Sequence, residues 1–226
     1  MRLIDEALQK VKLNKDSVRW SSVPNRLTCV IVEPRNHPNM RGTLYNMANV
    51  YANLDVGLTI YHSKENLKLI RDIIMNWEGV QLICLEKNNL TKSEYSHLLT
   101  TPSFYESVKS SHLLVFQTDS CIFKTIPDEY FEYDYVGAGW IKKWGNGCGN
   151  GGFSLRNKKA MINACGHKNY RRHPEDIYFA HADQLKPPNK ELQLAFSVEL
   201  IDHPDPIGCH LRMRPHLYSK LLESNQ

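Results

Sequence analysis

Four short apolar runs recur along the first half of the chain: LTCVIVE (27–33), VGLTIYH (56–62), VQLICLE (80–86) and HLLVFQ (112–117). The first is rich in β-branched residues, and the stretches between the runs carry helical patterning. A strand that is apolar throughout needs cover on both faces, which parallel sheets with helices above and below provide. The spacers supply those helices. Residues 39–53 set Met40, Leu44, Met47 and Val50 on one face, and KENLKLIRDIIMNW sets Leu67, Ile70 and Ile74 in a stripe behind Ser63, a candidate N-cap. Thr91-Lys92-Ser93-Glu94 has the form of a capping box opening a further helix. The alternation predicts an α/β fold with a mostly parallel central sheet flanked by helices. Ahead of it, Leu3, Ile4, Ala7, Leu8 and Val11 predict an amphipathic helix from residue 2 to about 14. The expected organisation is a helical extension over 1–20 and one domain over 21–226.

The second half reads differently. Seven of the twelve glycines fall in GAGWIKKWGNGCGNGG (137–152). FSLR (153–156) predicts a short strand, NKKAMINACG a helix capped at Gly166, and HPEDIYFAHAD (173–183) a helix with Pro174 near its start. LQLAFSVELI is apolar without clear period, with a strand expected near its end.

Composition excludes several classes. A net charge of +4 without a dense basic stripe is unlike a dedicated nucleic-acid binder. The six cysteines, at 29, 84, 121, 148, 165 and 209, include no CxxC pair and suit a reducing compartment. The N-terminal stretch MRLIDEALQKVKLNKD has no apolar signal core, and no run approaches the roughly 18 apolar residues of a membrane span. The expected location is cytoplasmic.

Four stretches carry candidate chemistry. HLLVFQTDSCIF ends a buried strand on Gln117-Thr118-Asp119, and ligands in open α/β sheets bind beyond the carboxyl ends of strands. A carboxylate there suits a divalent cation shared with phosphate oxygens; capping of the following turn is the alternative. The glycine-rich run lets backbone approach a sugar or phosphate closely, with Trp140 and Trp144 for sugar faces and Lys142 and Lys143 for phosphates; the alternative is a mobile surface loop or hairpin. It matches neither the phosphate-loop nor the dinucleotide fingerprint. Glu175 and Asp176 open a helix, where the dipole favours acids, and either can deprotonate an acceptor hydroxyl. His210 lies in PIGCHLRMRPH with Arg212, Arg214 and His216, a basic cluster able to meet a diphosphate; a purely structural histidine is the alternative.

In this order FQTDS, GNGGFSLR, PEDIYF and DPIGCH resemble the motifs of GT-A-type glycosyltransferases. More closely, FQTDSCIF, YDYVGAGW, GNGGFSLRNKKAM, PEDIYFA and FSVEL…PIGCH resemble a galactosyltransferase-like family of large DNA viruses, fungi and bacteria, over roughly residues 27–217. The resemblance implies a single GT-A-like (Rossmann-like) domain. It implies Asp119 as metal ligand, His210 as the second, and Mn²⁺ or Mg²⁺ as the ion. Donor contacts fall to Glu33 or Arg35 at the nucleotide end, to Gln117, Thr118 and Arg212, and to Gly151 and Gly152 along the sugar. Asp176 is the first choice of base and Glu175 the second.

The implied reaction is metal-dependent transfer of a sugar from a nucleoside diphosphate, UDP first, to an acceptor hydroxyl of a glycan or other molecule, with inversion. Gln117 stands where the motif's first Asp is expected, which keeps open a non-catalytic nucleotide- or glycan-binding protein. A nucleotidyltransferase would carry a basic glycine-rich loop after its first strand, whereas PRNHPNMRG has one glycine.

Overall fold

The four apolar runs lie side by side. In the computed structural model, which describes residues 1–140, 147–165 and 174–223, they become β1 (Leu27–Val32), β2 (Val56–His62), β3 (Val80–Cys84) and β4 (His112–Phe116). They pair in parallel, in the order β3-β2-β1-β4. Five further strands complete the core of the fold: β5 (Ser120–Ile122), β6 (Tyr135–Val136), β7 (Phe153–Asn157), β8 (Ser197–Val198) and β9 (Gly208–His210). β7 joins β4 antiparallel and β6 joins β7, so the sheet runs β3-β2-β1-β4-β7-β6. β9 lies between β8 and β5 in a small second sheet.

The helices are α1 (Leu3–Lys10), α2 (Met40–Tyr51), α3 (Leu67–Ile73), α4 (Lys92–Leu99), α5 (Pro102–Glu106), α6 (Lys158–Ala164), α7 (Glu175–Ala180), α8 (Lys190–Phe196) and α9 (Pro215–Glu223). The period-two alternation of the strands sends Cys29, Ile31, Leu114 and Phe116 into one core with Leu44, Met47 and Phe196. Their neighbours Val30, Val32, Leu113 and Val115 enter the opposite core with Leu99, Tyr105, Met161 and Phe179. Full burial of each such side chain contributes ~1.5–3 kcal/mol, so both faces of β1 and β4 are fixed. β3, at the sheet edge, is only partly buried.

A third core joins Ile4, Ala7 and Leu8 of α1 to Cys121, Val198 and Cys209 of the small sheet and Leu217 and Leu221 of α9. Trp20, in the segment between α1 and β1, is buried in the first core. The first twenty residues are therefore packed against the rest of the chain.

Several boundaries differ from the sequence reading. Ser63 is not an N-cap: its hydroxyl accepts from the Glu65 and Asn66 amides in a turn, and α3 begins four residues later with Asn66 at its N-cap. The predicted helix over 173–183 is limited to Glu175–Ala180. LQLAF is mostly helix α8, whose N-cap Asn189 accepts from the Leu192 amide, and only Ser197–Val198 is strand. Lys142, Lys143, Trp144, Gly166 and His173 lie outside the described residues. Among the described residues, no helix is long and apolar enough to cross a membrane.

Candidate functional site

β4 ends at Phe116, and the chain turns through Gln117-Thr118-Asp119 into β5. The turn is held from three sides. The Gln117 amide donates to the Gly152 carbonyl (3.0 Å), and Ser120 Oγ donates to the same carbonyl (2.9 Å). The Thr118 carbonyl accepts from Asn39 Nδ2 and Thr43 Oγ1, at the start of α2. The Leu211 amide donates to the Asp119 carbonyl (3.0 Å), with Leu211 in the left-handed region at φ 61°. A branched-chain residue seldom adopts that conformation, and here it brings the end of β9 against the Asp119 turn.

Asp119 does not cap that turn with its side chain. Oδ2 accepts from Arg2 Nη1 at 2.7 Å, and Oδ1 lies 3.4 Å from His210 Nε2. His210 Nε2 is also 3.2 Å from Gln117 Oε1, while Nδ1 is 3.7 Å from Glu199 Oε1, an ionic contact too long for a hydrogen bond. Glu199 Oε2 in turn accepts from Trp140 Nε1 at 2.6 Å. One line of polar contacts thus runs from Trp140 through Glu199, His210 and Asp119 to Arg2. Burial alone would lower the His210 pKa, but the Asp119 and Glu199 carboxylates outweigh it and push it up to about 9. Burial would likewise raise Asp119, yet His210 and Arg2 hold its carboxyl well below the usual carboxylate range.

Gly151 and Gly152 connect this line to α7. A Cβ on Gly152 would sit 2.1 Å from His210 Nε2, and one on Gly151 would sit 2.0 Å from Glu175 Oε1. No side chain fits at either position without displacing the histidine or the glutamate. Asn150, at φ 78°, accepts the Gly152 amide on Oδ1 and completes the turn into β7.

The two α7 acids have different surroundings. Glu175 Oε1 is 3.5 Å from Arg156 Nη2, a guanidinium with no exposed surface that also donates to Tyr105 Oη and Ser154 Oγ. Asp176 is only partly buried, taking the Ile177 amide on Oδ1 (2.7 Å) and the Gly151 amide on Oδ2 (3.5 Å). Burial pushes both carboxyls up, opposed at Glu175 by Arg156 and at Asp176 by the two amides.

The remaining candidates lie further out. Glu33, just past β1, is held by the Nε–Nη2 edge of the Arg35 guanidinium (2.8 and 2.7 Å), so Arg35, 55% exposed, is the outward group of the pair. Asp119 adds to the rise in the Arg35 pKa, which the Glu33 hydrogen bond leads. Arg212 is exposed, and no hydrogen bond or ion pair to another described residue holds its side chain. Gln117, Asp119, Gly151, Gly152, Asp176 and His210 are thus linked by direct contacts, whereas Arg212 is not tied to them. Trp140 is 8% exposed with its ring against Gly149, so its face is covered by backbone.

Sequence reasoning missed Arg2 and Glu199. Glu199 follows β8 directly, with no local pattern to mark it. Arg2 meets Asp119 across 117 residues.

The donors around Nε2 suit a hard divalent cation: a carboxylate oxygen, an imidazole nitrogen and an amide oxygen converge, with Glu199 behind the imidazole as orienting carboxylate. Among the described residues, no three His, Cys, Asp or Glu side chains are gathered as a metal-binding group. An ion held by Asp119 and His210 would have to displace the Nε2 proton and would take most of its other ligands from substrate oxygens and water.

Solved structures share the fold. The mannosyltransferase PcManGT of Pyrobaculum calidifontis, in complex with GDP-Man and Mn²⁺, superposes with a TM-score of 0.54 over 94% of this chain and 65% of its own, at 10% identity. The glycosyltransferase GlyE of Streptococcus pneumoniae gives 0.52 over 89% and 60%, at 12% identity. S. aureus TarS gives 0.50 over 87% and 38%, at 7% identity. The chain thus spans less than two thirds of each of these proteins. They are GT-A-type glycosyltransferases, and the central sheet with its flanking helices is the same architecture. No curated protein matches the chain. A family model described as "Protein of unknown function (DUF5672)" matches residues 79–210, which takes in the Asp119 turn, both glycines, α7 and His210, and the chain belongs to that family.

Proposed function

We propose that the protein is a glycosyltransferase that moves a sugar from a nucleoside diphosphate, UDP first, to an acceptor hydroxyl with inversion. The observation that carries this reading is the convergence of Asp119, His210, Gly151-Gly152 and Asp176 at the carboxyl end of β4 in a GT-A-like fold. The motif order supports kinship with the galactosyltransferase-like proteins of large DNA viruses, fungi and bacteria.

Asp119 and His210 would hold Mn²⁺ or Mg²⁺, with Gln117 alongside. When bound, the ion supplies Lewis-acid stabilisation of the leaving diphosphate. Gly151 and Gly152, against which Glu175 and His210 close, would meet the sugar with backbone alone. Asp176 is the base: it takes the acceptor proton as the hydroxyl oxygen bonds to the anomeric carbon and the bond to the β-phosphate oxygen breaks. A raised carboxyl pKa strengthens it for that task. Glu175, committed to Arg156, positions α7 beside the glycines. Arg35 is the cation of the Glu33 pair open to the donor.

A second reading, binding without transfer, is favoured by one feature: Gln117 turns its amide oxygen to His210 and brings no charge. Thermal stability measured with UDP, GDP, CDP and their sugars, in Mn²⁺ and in EDTA, separates the two. Transfer predicts a Mn²⁺-dependent shift with one nucleotide class, slow hydrolysis of its sugar, and a product of inverted anomeric configuration. Metal-independent binding with an intact donor would favour the second reading, and no response to any nucleotide would sink both.

A further inference from the structure

Arg2 sits on the donor face without belonging to any motif there. Its guanidinium is fixed by Asp5: Nε donates to Oδ2 (3.0 Å) and Nη2 to Oδ1 (2.9 Å), while the backbone amide of Arg2 reaches Oδ2 (3.3 Å). Asp5 is fixed in turn by Asn39 Nδ2 (2.8 Å), whose second contact is the Thr118 carbonyl. Nη1 then meets Asp119 Oδ2 at 2.7 Å. The arginine is therefore preorganised against the Asp119 turn.

A guanidinium has five N–H donors. Three are engaged by Asp5 and Asp119, which leaves one on Nη1 and one on Nη2 of a side chain 46% exposed. The terminal nitrogens of a guanidinium are the donors that meet phosphate oxygens. The face also carries the carboxylates of Glu33, Asp5, Asp119 and Glu199, so an arriving diphosphate needs cations. Any diphosphate held jointly with Asp119 lies within reach of Arg2.

We propose that Arg2, delivered by α1, is a diphosphate-binding residue of this site. The assignment rests on reading the Asp119–His210 face as the donor site. A role only as counter-ion of Asp119 is the alternative, and binding measurements distinguish them. Wild type, Arg2→Gln, Arg2→Lys and Asp5→Asn would be titrated calorimetrically with inorganic pyrophosphate, UDP, GDP and uridine, in Mn²⁺ and in EDTA, with folding checked by circular dichroism.

We expect Arg2→Gln to weaken pyrophosphate and nucleoside diphosphate about tenfold or more, as loss of a charge-assisted contact does. Uridine affinity should stay within about twofold. Arg2→Lys should recover part of the loss, and Asp5→Asn, which frees the arginine without removing its charge, should fall between. Unchanged pyrophosphate and nucleotide affinity in Arg2→Gln, or a change confined to Mn²⁺ binding, would overturn the proposal and leave the glycosyltransferase reading standing. Arg2-dependent pyrophosphate binding with no nucleotide binding would uphold Arg2 and remove the nucleotide-sugar reading. A wild-type protein that binds none of the anions would end both.

Discussion

His112 and His210 lie at opposite ends of β4, and each is 7% exposed. His112 opens β4. Its ring stands edge-on to Phe131 at 5.1 Å, with Ser111 Oγ and Asn157 Nδ2 at its nitrogens. Burial, then Arg26, pushes its pKa down. His210 closes β9 between two carboxylates, and its pKa is pushed up to about 9. Equal exposure gives opposite pKa shifts because burial sets only the cost of ionisation, while the neighbours decide whether it is met. The amino end of the sheet holds a cavity of about 290 Å³, lined by Thr28, Gly57, Val80 and Lys109 among others. The carboxyl end is dense in charge, and ions and phosphates have reason to go there.

The strongest test of that contrast removes its centre. Asp119→Asn should abolish donor-dependent transfer, a loss of about 10³-fold or more if the ion supplies several kcal/mol. It should also let the His210 pKa fall well below about 9, followed by NMR titration of the imidazole; an unmoved pKa would mean Glu199 alone sustains it. The next test separates the two α7 acids. Glu175→Gln leaves Arg156 buried without its charge partner and should cost about 3–5 kcal/mol in urea denaturation. Asp176→Asn should change stability by about 1 kcal/mol or less while lowering transfer about 10²–10⁴-fold. Similar destabilisation by both would undo that division of roles.

A third test uses pH in EDTA. Because the folded pKa of His210 lies above the ordinary 6.5, its contribution is fully present below that pH and is lost as pH rises through about 9, on the order of 3 kcal/mol. His112 acts with the opposite sign, its folded pKa being lowered, so acidification below 6.5 costs stability there. Denaturation curves from weakly acidic to alkaline pH should show the alkaline loss in wild type and a flatter profile in Asp119→Asn. The smallest expected effect is at Trp140→Phe, which keeps an aromatic ring but removes the indole N–H donor to Glu199: about 1 kcal/mol by the same assay.

The strands and the Asp119 turn were legible because their signals are local. An unbroken apolar run such as LTCVIV reports two buried faces, and a strand ending in Gln-Thr-Asp reports a polar crevice. Gly151 and Gly152 were legible as places of close approach, although what approaches, His210 and Glu175, was not. The preference for Asp176 over Glu175 came from resemblance; the contrast between them lies in Arg156, whose burial no sequence pattern announces. Ser63 misled because Ser-x-x-Asn serves a turn as well as a cap. Arg2 and Glu199 were illegible for a different reason: their partners are set by tertiary packing, across the third core and the small sheet.

The polar line through His210 spans long stretches of chain: Arg2 and Asp119 are 117 residues apart, and Gln117 and His210 are 93 apart. Contacts of such separation pay their loop-closure entropy before they return anything. They are expected to be unformed when the chain crosses its folding barrier, after α2 and the neighbouring β1–β2 pairing have set the sheet. Substitutions at Arg2 or Glu199 should therefore quicken unfolding and leave the refolding rate nearly unchanged, whereas truncations of Ile31 or Leu58 should slow refolding. The charged face then governs how long the native state lasts, and the apolar strands govern how fast it is reached.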